Sequence, residues 1–287
     1  MKLIVTLLLF PVLSFGKITF KGLIKDKKNN APIPYATVGL MNENTGTTAD
    51  ENGLFELKSV KSFADDTLIV TCLGYQVSKL KVSSLDTSNI EILLTEKSFN
   101  LKEIVITNNN KSKKDILNDF DTSSYCYEGT GSPSLNITQI AQHFQIQHTN
   151  GQLTKVKICD GSVMLGKKIA KYRLRIYAMD PITKGPSSDL CSRVIEVRTK
   201  LKRSGIYSIN LEKYKIMIPD NDFFIAVEWL NIPYNYYKKK EEKDGWCLPT
   251  IGWKSMTELS LESWVLDYKN KWRSKQQTML IAATVKY

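Results

Sequence analysis

The stretch TGTTADENGLFEL, Thr45 to Leu57, decides how this chain folds. Threonines with high β propensity lead into Asp50-Glu51-Asn52-Gly53, where Gly53 can take the positive φ that side chains resist. Leu54-Phe55-Glu56-Leu57 then leaves in alternation, so the pattern predicts a hairpin. The acidic pair Asp50 and Glu51 lacks the alternating ligand spacing of a calcium loop and reads as a turn.

Outward from this turn the same grammar repeats. Ile18 to Lys25 opens the run, and Asn29 to Pro34 is a turn with a proline-stiffened strand entry. Tyr35 to Met41 follows as the second strand. Thr67 to Cys72 is a continuous apolar strand ending at Gly74-Tyr75, and Val77 to Val82 and Ile90 to Leu94 complete the set. No helical period competes, and about seven strands with turns roughly every ten residues predict a β-sandwich. Leu101 to Thr107, LKEIVIT, reads as its last strand, and Asn108 to Lys114, NNNKSKK, as a polar linker with nothing to bury.

Beyond the linker, Asp115 to Tyr127 has a brief helical look through Ile116, Leu117 and Phe120. From Ile137 the pattern is strand-like. Ala141 to His148 alternates, Asn150-Gly151 supplies a strong hairpin signal, and Leu153 to Cys159 returns. Ala170 to Ala178 places Tyr172, Leu174 and Ile176 on one face and Arg173, Arg175 and Tyr177 on the other, as in a half-buried strand. Arg193 to Arg198 and Gly205 to Leu211 are further strands, Phe223 to Leu230 is an apolar central one, and Lys238 to Asp244 is a charged loop tip.

The order PIPYATV, TGTTADENGLFEL, LIVTCLGY and LKEIVIT closely resembles the carboxypeptidase-regulatory-like domain, a transthyretin-like sandwich at the N-termini of many Bacteroidota outer-membrane and exported proteins. The resemblance covers residues 17–107 and implies an accessory module without catalytic residues. In TonB-dependent receptors such a domain precedes a plug and a barrel of about 22 strands. The residues beyond LKEIVIT are too few for that and lack its lipid-facing alternation, so a receptor is not expected. YRLRIYAMD, PSSDL and GIYSINLEKYKIMIPDNDFFIAVEWL resemble the C-terminal region of many such regulatory-domain proteins, which implies a jelly-roll-like sandwich and carries no catalytic residue. The expected protein is all-β: residues 1–16 a signal peptide, 17–107 a seven-stranded transthyretin-like β-sandwich, 108–114 a linker, and 115–287 a larger jelly-roll-like β-domain.

Residues 1–16 carry Lys2, the apolar run Leu3 to Leu13 and the small-residue exit Ser14-Phe15-Gly16, the pattern of a signal peptide. The run is too short to span a bilayer, and no cysteine at the exit points to a lipid anchor. The protein is therefore expected in the periplasm or at the outer membrane or cell surface. Lysine and arginine balance aspartate and glutamate over residues 17–107, 11 against 11, whereas residues 108–287 hold 28 against 18. A basic exported domain can rest on an anionic envelope surface, although lysines spread along strands also serve as a solvated face. Export and the lack of a reading motif speak against nucleic acid. Cys72 sits in an apolar run and reads as a buried small hydrophobe. Cys126, Cys159, Cys191 and Cys247 can pair in three ways in an oxidising compartment, and no CxxC suggests zinc or thiol-redox chemistry.

Gly161 to Lys168, GSVMLGKK, copies the glycine and lysine spacing of a phosphate loop, but Lys168 stands where Ser or Thr would hold magnesium, so a β-hairpin loop is expected and no cofactor. His143 and His148 fall in one predicted strand at an odd spacing that sends them to opposite faces. Asp119 with Asp121 and Glu241 with Glu242 read as solvated charges, and no pair is placed as a glycosidase would need. The tryptophans Trp229, Trp246, Trp253, Trp264 and Trp272 crowd the last sixty residues. Trp229 is expected in the core, while Tyr234, Tyr236, Tyr237 and Trp246 flank the charged loop and form the candidate ligand-binding patch. The expectation is a non-enzymatic exported protein whose second domain binds a glycan or an envelope protein. A structural component of the envelope, or a hydrolase acting on polysaccharide or peptide through unrecognised carboxylates, are the alternatives.

Overall fold

A computed structural model of the protein describes residues 18–59, 65–98, 113–121, 129–132, 136–162, 169–199, 205–237, 246–255 and 262–287. The stretches read above as a signal peptide, as the strand Leu101 to Thr107 and as the charged loop Lys238 to Asp244, together with Cys126 and residues 163–168 of the phosphate-loop-like motif, lie outside these described residues.

Alternating side chains build the first domain. Its strands are β1 (Ile18–Asp26), β2 (Thr37–Leu40), β3 (Thr45–Thr48), β4 (Leu54–Ser59), β5 (Thr67–Thr71), β6 (Ser78–Lys81) and β7 (Ile90–Leu94). They form two sheets, ordered β4-β1-β7 and β3-β2-β5-β6. Strand β4 buries Phe55 and Leu57 and turns Leu54, Glu56 and Lys58 outward, and β7 buries Ile90, Ile92 and Leu94. These meet Val38, Leu40, Leu68 and Val70 of the other sheet in one core. The seven-stranded β-sandwich is as expected, with β7 running parallel to β1.

The Asp50 turn forms as read but joins different partners. Asp50 Oδ1 accepts the backbone N–H groups of Asn52 (2.8 Å) and Leu54 (2.9 Å), and Gly53 takes φ +76°. No hairpin results, because β3 pairs with β2 and β4 pairs with β1. The turn is a corner between the two sheets.

The second domain is β as well, with its described strands paired antiparallel. Its strands are β8 (Lys114–Leu117), β9 (Gly129–Ser132), β10 (Ile137–Gln145), β11 (Gly151–Cys159), β12 (Lys171–Met179), β13 (Pro186–Asp189), β14 (Ile195–Arg198) and β15 (Ile206–Asn210). Next come β16 (Ile216–Ile218), β17 (Asp222–Trp229), β18 (Tyr236–Tyr237), β19 (Trp246–Ser255), β20 (Ser263–Asp267), β21 (Trp272–Lys275), β22 (Gln277–Met279) and β23 (Ile281–Lys286). A seven-stranded sheet runs β13-β12-β17-β10-β20-β21, with β14 also on β12. Across one core it faces a sheet β15-β11-β23-β8, with β16 on β11, and a sheet β18-β19-β22, with β9 on β19. The central position of β17 is the one its apolar run predicts.

Three expectations need correction. Lys114–Leu117, read as the end of a linker and the start of a brief helix, is a strand on the edge of β23. Its apolar signal is only Ile116 and Leu117, too short to carry a period, and the open edge supplies its hydrogen bonds. Asn150 takes φ +61° at the expected turn, yet β10 and β11 belong to different sheets, so this too is a corner. Strand β12 is buried on both faces: Arg173 and Tyr177 are 4% and 5% exposed. The first domain and two tryptophans cover the face that was expected to remain open.

Candidate functional site

The expected aromatic patch is carried by a turn with a buried polar centre. Leu230 ends the apolar run of β17, and Pro233–Asn235 forms one short 3-10 turn before β18. Asn235 is fully buried. Its Oδ1 accepts the Lys171 backbone N–H at 2.8 Å, and its Nδ2 donates to the carbonyls of Lys171 (2.5 Å) and Leu230 (2.8 Å). One side chain thereby ties the turn to the start of β12 and the end of β17, satisfying backbone groups that would otherwise be orphaned.

On either side of this clamp stand Tyr234, 48% exposed, and Tyr236, 45% exposed. Tyr237 packs against the core, opposite Trp246, and Tyr236 lies opposite the buried Cys247. Alternation along β18 therefore sends Tyr236 and Tyr237 to different faces. Tyr234 and Tyr236 are presented to solvent by a fixed backbone, while Tyr237 and Trp246 pair in register as partly buried support.

Beside this turn lies the seam between the domains. Tyr35, with φ +59°, is buried against Leu230 and Ile232 of the second domain. Lys171 Nζ sits 4.1 Å from its ring centroid and donates to its hydroxyl. The Arg173 guanidinium is 5.2 Å from the same ring and donates to the carbonyls of Tyr35 (3.2 Å) and Pro34 (3.1 Å). Cations held over an aromatic face and shielded from water are attracted more strongly than at an open surface. Glu196 joins Lys171 at 3.2 Å to Arg198 at 3.0 Å; burial raises its carboxyl, but these hydrogen bonds outweigh it and hold the group below its ordinary range. Further along, Asn231 N–H donates to Thr48 Oγ1 at 3.0 Å. The half-buried Cys72 thiol lies within reach of Arg173, and burial pushes it up.

A second aromatic group covers the outer face of the seven-stranded sheet. Trp264 stands edge-on to Phe224 (6.4 Å) and Trp272 edge-on to Tyr177 (5.6 Å), while the Tyr177 hydroxyl donates to Gln139 Oε1 at 2.8 Å. Arg175 forks onto Asp189 at 2.8 Å for both bonds and reaches Glu228 at 3.4 Å. Sequence reasoning did not find this layer. The only signal was Arg173, Arg175 and Tyr177 in alternation, a pattern that looks the same on a solvated face.

The other candidates fall apart from one another. His143 pairs with Asp222 Oδ1 at 2.8 Å, and His148 lies beyond the end of β10, its Nε2 2.9 Å from Lys113 Nζ. Asp119 is held by Lys157. Trp229 is in the core, donating to the Pro249 carbonyl at 2.7 Å. Cys159 is disulfide-bonded, whereas Cys72 and Cys191 are free thiols, so two disulfides among the four later cysteines do not form. Among the described residues no three His, Cys, Asp or Glu side chains group as metal ligands, and no helix is long and apolar enough to cross a membrane.

No curated protein matches the sequence. The fold is similar to the cysteine protease and lectin-like domains of Cwp84, a surface layer associated protein of Clostridium difficile, at 11% identity and TM-score 0.36. That match covers 94% of this chain, which spans 63% of the length of that structure. The major pilin subunit BcpA of Bacillus cereus matches at 8% identity and TM-score 0.21, over 92% of this chain and 69% of its own. A Bacteroides fragilis protein, described as membrane-associated and of unknown function, matches at 11% identity and TM-score 0.22, over 94% and 96%. At such scores the likenesses carry no argument about activity. Residues 20–106, in contrast, match the CarboxypepD_reg-like domain, a stretch that takes in most of the first sandwich.

Proposed function

We propose that this chain is an exported, non-enzymatic binding protein of the cell envelope, in which the first sandwich is an accessory module and the second domain recognises a glycan or a surface protein through Tyr234 and Tyr236. The observation that carries this reading is the fully buried Asn235 clamp between two tyrosines that are each nearly half exposed. Tyrosine offers a broad apolar face and a polar tip at little conformational cost, and a fixed backbone lowers the cost of binding further. The test is a glycan array and an envelope-protein pull-down with the mature chain. A ligand whose binding falls at least about tenfold in Tyr236→Ala, a loss of about 1.4 kcal/mol, supports the reading. Binding that Tyr234→Ala and Tyr236→Ala both leave intact removes the turn from the site.

The seam favours a second reading. Tyr35, Lys171 and Arg173 bury charge between the domains, as in a component whose task is to hold a fixed two-domain shape in an envelope assembly.

A further inference from the structure

The outer face of the sheet β15-β11-β23-β8 takes no part in the aromatic turn or the seam. Strand register arranges it in rows. Lys286 lies opposite Lys114 on the neighbouring strand. The next row on that face is Asn210, Lys155, Thr284 and Ile116, and the one after it Ser208, Lys157 and Ala282. Residues two apart on a strand share a face, so Lys114, Lys155, Lys157 and Lys286 all project from one side. The opposite side, with Val156, Ile158, Ala283 and Val285, is core.

Acidic groups do not balance these lysines. Asp119 pairs with Lys157, and Glu212 pairs with Lys286 at 2.7 Å. Lys114 and Lys155 are exposed, and among the described residues neither has a carboxylate partner. Exposed Lys213 and Lys215 follow Glu212, adding charge of the same sign. Like charges directly opposite on neighbouring strands weaken a sheet, so folding gains nothing from Lys114 beside Lys286. Ile116 stands in the next row, 53% exposed. Phe120 covers Ala282 at the Lys157 end of the face, so its open part is the end that carries Lys114, Ile116, Lys155 and Lys286.

We propose that this face docks on an anionic lipid bilayer, with the lysines at the level of the headgroup phosphates and Ile116 entering the interface. The charge is spread over a sheet surface with an exposed apolar side chain within it, an arrangement that laterally mobile headgroups can match point by point. This surface lies on a different sheet from Tyr234 and Tyr236, so it stands or falls independently of them.

The test is co-sedimentation of the mature chain with phosphatidylcholine vesicles with and without phosphatidylglycerol. Partitioning should require phosphatidylglycerol and weaken with added salt, as screening shortens the reach of each charge. Lys114→Gln with Lys155→Gln should weaken it about 25-fold, given roughly fivefold per lysine near a charged bilayer. Ile116→Ser should weaken it too, whereas Lys184→Gln, on the loop after β12, should leave it unchanged. Melting temperatures of the variants show that each still folds. No partitioning onto phosphatidylglycerol vesicles overturns the proposal, as does an equal loss from Lys184→Gln, which would mean diffuse net charge. So does a soluble acidic polysaccharide that binds wild type and Ile116→Ser alike and more tightly than vesicles do, which would assign the face to a polymer.

Discussion

Asn235 and Asp160 show how much depends on single buried polar groups. Removing the Asn235 side chain leaves the Lys171 N–H and the Lys171 and Leu230 carbonyls without those partners in a buried site. Asn235→Ala should therefore lower the unfolding free energy in urea by about 2–4 kcal/mol, and a loss below about 0.5 kcal/mol would show the clamp to be dispensable. Asp160 is 2% exposed, and burial raises its carboxyl to about 6, against hydrogen bonds from Ser162, Thr250 and Thr199. A carboxyl raised on folding gives stability that is fully present below its unfolded value near 3.8 and is lost as pH rises through about 6. The amount is on the order of 3 kcal/mol. Asp160→Asn should thus gain about that much relative to wild type between about pH 4 and pH 7 in paired urea titrations, and a difference constant with pH would refute the assignment. Neither residue was legible in the sequence. Tyr236 and Trp246 draw attention as aromatics, but an asparagine or aspartate becomes a keystone only through what the fold packs around it.

Strands were largely legible, and their partners were not. Phe223 to Leu230 announces a central strand because both its faces are apolar, and Trp229 is buried as expected, its indole N–H bonded to Pro249. Trp229→Ala removes that bond and leaves a large void, so thermal and urea unfolding should show a loss of about 3–5 kcal/mol. A loss under about 1 kcal/mol would mean that the core closes over the site. The turns at Asp50–Gly53 and Asn150-Gly151 were found because positive φ has a local chemical signature. Their outcome as corners was hidden, since turn chemistry fixes where a chain reverses and leaves open which sheet it then joins. The pairing of Lys114–Leu117 with β23 has the same cause: its partner lies at the other end of the second domain.

At the scale of the molecule, the contact between the domains was hidden from the sequence. The charges of Arg173 and Arg175 suggested water, whereas the first domain sits on Arg173. That seam is imperfectly satisfied: Arg173 Nε and Glu228 Oε2 are buried and have no hydrogen-bond partner among the described residues, although the two residues face each other in register. Buried charged atoms left unpaired are costly, so the seam should open more readily than either sandwich unfolds. Arg173→Ala, which forfeits both carbonyl contacts, should raise the rate of Cys72 alkylation in the native protein about tenfold or more. An unchanged rate would show that the domains hold together without that fork. Close packing at the seam has a further consequence. A Cβ on Gly46 would come within 2.1 Å of the Tyr268 ring, and one on Gly39 within 2.7 Å of the Tyr268 carbonyl oxygen. The first sandwich is thus not a freely exchangeable cassette: a sister module transplanted in its place will seat only if it too carries glycine at both positions, whatever the quality of its own core.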